Sequence, residues 1–235
     1  MHLLVLQHER VEHPGVFRDF LRRDEHTWDA VELDEGESLP SLDGYDALWV
    51  MGGPMDVWQE EQHPWLRAEK AIIREAVLNR EMPFLGLCLG HQLLAEALGG
   101  TVGPSKIPEI GVLDVNITDG GALFKGMPTT IESLQWHSAE VTQMPKGAQV
   151  LASSPACAVQ AMAWKDHAYG LQFHMELEAD TVANWADIPE YAQALEKAMG
   201  AGAVARLEAE CAERMSTFNA MAERLYRNWI KATSH

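Results

Sequence analysis

The sequence predicts an α/β fold built on a mainly parallel central sheet with helices on both faces. Three observations point to it. Through the first hundred residues, short apolar runs alternate with amphipathic segments of helical spacing, the pattern of strands joined by right-handed helical crossovers. From Gly111 to Trp164 the pattern changes to strands separated by short turns, which implies antiparallel pairing on one side of the sheet. After Glu176 the chain carries helix formers and no β-run.

The elements follow in order. His2–Gln7 is an apolar first strand, and Pro14–Arg23 places Val16, Phe17, Phe20 and Leu21 on one helical face. Trp28–Leu33 reads as the second strand. Ala47–Met51, fully apolar, is the third and runs straight into Gly52-Gly53-Pro54. That Gly-Gly pair permits positive φ and close backbone approach, although the same residues also suit a plain strand-to-helix turn. Pro64 reads as a helix entry, and Trp58 through Glu61 as a segment able to cover a bound substrate. Leu66–Arg80 is a helix by the spacing of Ile72, Ile73, Ala76 and Val77. Met82–Leu85 is a further apolar run. Strands are expected at Val112–Ile117, Thr130–Leu134, Val150–Ala152, Val159–Trp164 and Ala168–Phe173, and helices at Thr181–Trp185, Glu190–Met199 and Val204–Trp229. The last helix spaces Leu207, Cys211, Met215, Phe218, Met221, Ala222 and Leu225 mostly at three- and four-residue steps, the stripe of a helix packed on its own domain. With no repeat or long linker, a single domain over 1–235 is expected, with a core of about 1–185 and a helical extension over 186–235.

The 235 residues suffice for one large α/β domain, and a hydrophobic content of 47% is ordinary. The net charge of −17 argues against a nucleic-acid partner, whose phosphates demand Lys and Arg. No apolar run reaches membrane-spanning length, and the N-terminal strand lacks the basic flank of a signal peptide. The three cysteines, Cys88, Cys157 and Cys211, are widely spaced and form neither a zinc pattern nor a disulfide framework. A cytoplasmic, reducing location is therefore expected, with no metal and no cofactor.

The segment Gly86-Leu87-Cys88-Leu89-Gly90-His91-Gln92 carries the chemistry. An apolar strand leads in, and the helix-like Leu93–Leu98 leads out. A cysteine at the apex, with glycines two residues to either side, makes a strained elbow that exposes a nucleophile at a helix N-terminus. The helix amides and dipole stabilise a thiolate and offer a donor to a developing oxyanion. A buried, inert cysteine at a strand end is the plain alternative, and the glycines and the abrupt strand-to-helix change argue against it. A nucleophilic cysteine needs a base and an orienting acid. His174, at the end of the 168–173 strand, and Glu176 two residues on would supply them; a solvated surface turn is the alternative there, given Glu178 and Asp180 nearby.

These residues resemble the class I glutamine amidotransferases. Gly-Leu-Cys-Leu-Gly-His-Gln around Cys88, Gln172-Phe173-His174-Met175-Glu176, and Trp49-Val50-Met51-Gly52-Gly53-Pro54-Met55 are similar to that family's nucleophile elbow, base-acid segment and oxyanion loop, in the same order. The likeness spans roughly residues 1–185 and implies a flavodoxin-like fold of that type. It is greatest toward stand-alone proteins similar to the glutaminase domain of a nucleotide-making synthetase. The resemblance implies that Cys88 attacks a side-chain amide, that His174 is base and then acid, and that Glu176 holds the imidazole. It further implies an oxyanion hole from the backbone N–H groups of Gly53 and Leu89, and substrate contacts from Gln92. Leu134-Gln135-Trp136-His137-Ser138 falls where the family has another substrate loop, which makes Trp136 and His137 candidates too. Where the family usually has proline, this chain has Met175; proline is no catalytic group, so the chemistry should survive with a looser turn.

The resemblance implies a cysteine-dependent amidase cleaving glutamine or a γ-glutamyl amide, a small-molecule substrate, through a thioester. Two alternatives stand beside it: a glutaminase subunit that feeds ammonia to a separate synthetase, and a non-catalytic binding protein on the same scaffold. A synthetase or a second copy of the chain would then be the protein partner.

Overall fold

The computed structural model describes residues 1–118 and 121–233. Nine strands form one sheet among these residues: β1 (His2–Gln7), β2 (Thr27–Glu32), β3 (Ala47–Val50), β4 (Phe84–Leu87), β5 (Thr101–Ile117), β6 (Thr130–Gln143), β7 (Ala148–Ser153), β8 (Ala161–Trp164) and β9 (Ala168–Leu171). Their order across the sheet is β2-β1-β3-β4-β9-β8-β7-β5-β6. The five strands from β2 to β9 run parallel and the remaining four add antiparallel. The order reverses between β1 and β3, so a crevice opens at their carboxyl ends, where ligands bind in such sheets.

The parallel strands β1, β3, β4 and β9 are buried on both faces, while the edge strand β2 is largely exposed; side-chain alternation divides the buried ones. Leu4, Leu6, Leu48, Val50 and Phe84 pack on one side with Leu66 and Ile73 of α2 (Trp65–Arg74) and Leu93 and Leu94 of α3 (Leu89–Ala97). Leu3, Val5, Ala47, Trp49, Leu85 and Leu87 face the other side, against Phe17 and Leu21 of α1 (Phe17–Arg23). Two short helices, α4 (Thr181–Ala186) and α5 (Pro189–Met199), precede the long α6 (Ala203–Thr233). The helix expected at 66–80 is α2, which enters at Pro64 and continues as a π-helical turn over Glu75–Asn79.

The helical segment expected as an extension is built into the core. The second half of α6 inserts Ala222, Leu225, Tyr226 and Trp229 beneath the parallel strands. Trp229 is fully buried, stacks edge-on against Trp49 with ring centroids 5.3 Å apart, and donates its indole N–H to Phe84 O at 3.2 Å. The first half of α6 joins α4, α5 and β6 around a separate cluster of Leu134, Trp136, Trp185, Tyr191 and Leu207. Residues 234 and 235 of the expected extension lie outside the described residues.

Three strands are longer than the sequence implies, β7 by a few residues at its ends and β5 and β6 by much more. β5 begins at Thr101 rather than Val112, because its register breaks between Pro104 and Glu109 and the intervening residues loop out of the ladder. This accommodates Pro108, which would otherwise interrupt pairing. β6 runs on to Gln143, so Leu134–Ser138, expected as a loop, lies inside a strand. β9 ends earlier than expected, at Leu171.

Trp229 joins a helix far along the chain to the centre of the sheet. Trp229→Ala should destabilise the protein by about 3–5 kcal/mol, the usual loss for a fully buried tryptophan. Urea unfolding monitored by circular dichroism measures this. A loss below about 1 kcal/mol would show that α6 is not part of the cooperative core.

Candidate active site

Cys88 stands between β4 and α3 with φ 50° and ψ −104°, a conformation that side-chain-bearing residues rarely adopt. Its N–H donates to Leu171 O at 2.7 Å, which fastens the elbow to the end of β9. The flanking glycines are required by space. A Cβ on Gly86 would lie 2.4 Å from Gly90 O, and one on Gly90 would lie 2.0 Å from Val50 O. The strand, the helix start and β3 therefore touch backbone to backbone.

His174 follows β9. Its backbone pairs with Leu134 of β6, with His174 N–H donating to Leu134 O at 2.9 Å. Its Nδ1 donates to Glu176 Oε1 at 2.6 Å, which leaves Nε2 for the hydrogen bond with Cys88. Trp185 meets the imidazole edge-on at 4.6 Å between centroids. Burial disfavours the charged ring, but the Glu176 carboxylate and the hydrogen bond to Cys88 outweigh it and hold the imidazole pKa well above its ordinary value. The structure thus brings Cys88, His174 and Glu176 together in a buried line.

The turn at Met175 is tight, contrary to the sequence expectation. Met175 N–H donates to Glu176 Oε2 at 2.9 Å, a bond that proline could not make. The Met175 side chain is buried beside Phe173 on the α1/α6 side of the sheet. The Glu176 carbonyl accepts from Val16 N–H at 2.9 Å, and a Cβ on Gly15 would fall 1.6 Å from that oxygen. The loop between β1 and α1 therefore clamps the loop that carries Glu176.

Cys88 opens into a small cleft lined by Gly53, Met55, Leu89, Gln92, Trp136, His137, Ser138 and Tyr191. Leu89 is the first residue of α3, so its N–H has no acceptor within the helix. Neither Gly52 nor Gly53 has positive φ, against the sequence reading; close contact is what demands glycine there. A Cβ on Gly52 would lie 1.9 Å from Glu12 Oε2, and one on Gly53 would lie 2.8 Å from Leu89 Cδ2 and 2.9 Å from His8 Cβ. Gln92 lines the cleft while its amide nitrogen donates to Gln172 Oε1 at 3.1 Å and Ala139 O at 3.3 Å. Gln172 in turn donates to Cys88 Sγ at 3.6 Å. Trp136 donates its indole N–H to Tyr191 O at 3.3 Å and packs on Trp185 and Tyr191. The His137 Nδ1 donates to Ala139 O at 3.0 Å, and its Nε2 lies 3.3 Å from Glu109 Oε2 without a well-directed hydrogen bond. Trp58 through Glu61 does not reach the cleft; Glu60 is tied to Arg67 and Lys70, and Pro54, Met55 and Asp56 form that wall instead.

Four buried polar residues at the site escape a sequence reading: His8, Glu12, Glu69 and Tyr191. Glu69 left a signal, since it shares the buried face of α2 with Leu66 and Ile73, a face where a carboxylate needs a partner. Tyr191 of α5 donates its hydroxyl to Glu12 Oε1, while Glu12 Oε2 is buried without a hydrogen-bond partner. Burial pushes the Glu12 carboxyl up to about 7, against the opposing effects of Tyr191, His174 and His8. His91, one helix position before Gln92, is buried away from the cleft; burial and the nearby His137 lower its pKa to about 3.

The comparisons with known proteins give the family. The profile of the family "Glutamine amidotransferase class-I" matches residues 21–182. The chain belongs to the class I glutamine amidotransferases. It is 35% identical over 151 residues to one of the subunits of the glutamine-hydrolyzing GMP synthase of Sulfolobus acidocaldarius, covering 64% of this chain and 77% of the relative. It is 34% identical over 184 residues to the glutamine amidotransferase-like protein YfeJ of Salmonella typhimurium, covering 74% of this chain and 75% of that one. Among solved structures, a glutamine amidotransferase from Thermotoga maritima superposes with a TM-score of 0.88 at 28% identity, covering 100% of this chain and 99% of that chain. A glutamine amidotransferase from Methylobacillus flagellatus superposes with a TM-score of 0.87 at 31% identity, covering 98% and 94%. The flavodoxin-like sheet of this amidotransferase is thus that of the solved members.

The Glu12 carboxyl gives a pH prediction. The folded chain holds its proton up to about pH 7, whereas the unfolded chain releases it near the ordinary value of 4.5. Between those values the folded state binds more protons, so this group lowers stability as pH rises through the window. Glu12→Gln removes the titration. The stability of the variant relative to the parent should therefore rise by on the order of 3 kcal/mol between pH 4.5 and pH 7.5, read from urea unfolding at each pH. A difference that stays constant across this range would refute the assignment.

Proposed function

We propose that this amidotransferase is a free-standing, cysteine-dependent amidase that hydrolyses the side-chain amide of glutamine or of a γ-glutamyl amide through a γ-glutamyl thioester. The observation that carries this reading is Cys88 at the apex of a strained elbow, hydrogen-bonded to a His174 whose other nitrogen is 2.6 Å from Glu176. A nucleophile, a base and an orienting acid in that order are what acyl transfer requires.

In this reading His174 takes the thiol proton and Cys88 Sγ bonds to the amide carbon. The carbonyl oxygen becomes an oxyanion between the N–H groups of Gly53 and Leu89. The C–N bond then breaks as His174 gives its proton to the leaving nitrogen, releasing ammonia or an amine. His174 next deprotonates a water molecule, which attacks the thioester and releases glutamate and the thiol. Glu176 stabilises the imidazolium in both halves. Gln92 and the β6 backbone at Trp136–Ser138 line the part of the cleft where the amino acid head would sit.

A second reading is a glutaminase subunit that works only when docked on a synthetase. The relatives named as GMP synthase subunits favour it. Glutamate release from glutamine and a panel of γ-glutamyl amides, with the purified chain alone, separates the two. The free-standing enzyme turns over at least one of them without partner or ATP. Silence across the panel, broken only by an added synthetase, would establish the docked reading.

The three central residues should differ in their loss of activity. Cys88→Ser should fold normally and lose at least about 10³-fold in kcat, and His174→Ala nearly as much, because the set acts as a unit. Glu176→Gln should lose less, since an amide still orients the ring but stabilises its charge poorly. Alkylation should fall on Cys88, because burial pushes the Cys157 and Cys211 thiols up to about 12. Inactivation with modification at Cys157 or Cys211 alone would exclude Cys88 as the nucleophile.

A further inference from the structure

We propose that His8 and Glu69 are a buried positioning pair that fixes the Gly52–Gly53 peptide with its N–H turned toward Cys88, so that the oxyanion site is preformed in the free chain. The proposal rests on the amidase reading, in which the Gly53 N–H receives the oxyanion.

His8 lies just beyond β1, beside the end of β3 where Gly52 and Gly53 follow. Its Nδ1 is 2.7 Å from Gly52 O. A carbonyl oxygen only accepts, so Nδ1 carries a hydrogen and donates it. The Nε2 lies 2.9 and 3.0 Å from the two carboxylate oxygens of Glu69, on α2. Both side chains are wholly buried. The imidazole thus bridges a helix carboxylate to one main-chain carbonyl, with each ring nitrogen engaged. Burial opposes a charge on His8, yet the Glu69 carboxylate and the Gly52 carbonyl hold its pKa above the ordinary value.

The consequence follows from peptide geometry. The described peptides are all trans, and in a trans peptide the C=O and the next N–H point in opposite directions. With Gly52 O held against His8, the Gly53 N–H must face away from His8. Gly53 lines the cleft together with Cys88 and Leu89, so an N–H turned away from His8 is open to that cleft. A flipped peptide would aim a carbonyl where the oxyanion forms and would strip the buried His8 of its acceptor. A Cβ on Gly52 would meet Glu12 Oε2 and one on Gly53 would meet the His8 Cβ, so neither glycine has room for a side chain.

Two isosteric substitutions separate the roles of the two ring nitrogens. Asparagine places an amide donor near the Nδ1 position, and glutamine places one near Nε2. His8→Asn keeps the bond to Gly52 O and loses Glu69; His8→Gln keeps Glu69 and loses Gly52 O. On a γ-glutamyl substrate, His8→Gln should lose on the order of 10²-fold in kcat with KM nearly unchanged, the signature of a donor used only in the transition state. His8→Asn should retain kcat within about tenfold of the parent. Crystal structures of both variants should show the 52–53 peptide kept in His8→Asn and turned or split between orientations in His8→Gln. The reverse ranking, or an unturned peptide and parental kcat in His8→Gln, would overturn the proposal. If the parent cleaves no γ-glutamyl compound, the amidase reading fails, and the peptide orientation in the two crystal structures still decides whether His8 sets it.

Discussion

The site depends on one backbone constraint, the positive φ of Cys88 between β4 and α3. A strained residue persists only where its surroundings over-determine it. Here three main-chain contacts do so: Cys88 N–H on Leu171 O, Gly90 N–H on Met51 O, and the contact of Gly86 with Gly90. Each contact ties the elbow to a different part of the sheet. The thiol is consequently delivered at the helix N-terminus, facing the end of β9 from which His174 emerges.

From that point the remaining groups arrive from distant stretches of chain. The loop after β1 supplies His8 and Glu12 and, through Gly15 and Val16, grips the Glu176 carbonyl. The end of β3 supplies the glycine turn, β6 pairs with His174, and α5 supplies Tyr191. α6 contributes no group to the cleft, but its tryptophan at position 229 supports β3 and β4 from below. Gln92, Gln172, His174 and Glu176 around the cysteine are held by buried hydrogen bonds, which fixes their positions before any substrate binds.

The parallel half of the sheet and the elbow are legible in the sequence because their signals are local. Apolar runs, helical spacing and glycines two residues from a cysteine all fall within a short window. Three features are not legible, each for a physical reason. The true length of β5 is hidden by Pro104 and Pro108, which read as breaks unless the ladder is known to resume at Glu109 after a register shift. The place of α6 beneath the parallel strands cannot be read from its stripe, which says that the helix packs on its own domain but not which surface it covers. The supporting residues His8, Glu12 and Tyr191 gain meaning only from contacts that span many residues, such as His8 with Glu69 or Glu12 with Tyr191. The glycines at 52 and 53 stand out in the sequence, but the cause is crowding by Glu12 and His8 rather than φ.

The central claim is that Cys88 becomes acylated by the γ-glutamyl group of the substrate in the chain by itself. Rapid acid quench of the purified protein with glutamine or an active γ-glutamyl amide, followed by peptide mass spectrometry, tests it directly. The expected result is a glutamyl adduct on the Cys88 peptide that is present during turnover, disappears when substrate is exhausted, and is absent from the Cys88→Ser and His174→Ala proteins. Glutamate release with no adduct on Cys88 at any quench time, or an adduct on another residue, would contradict it.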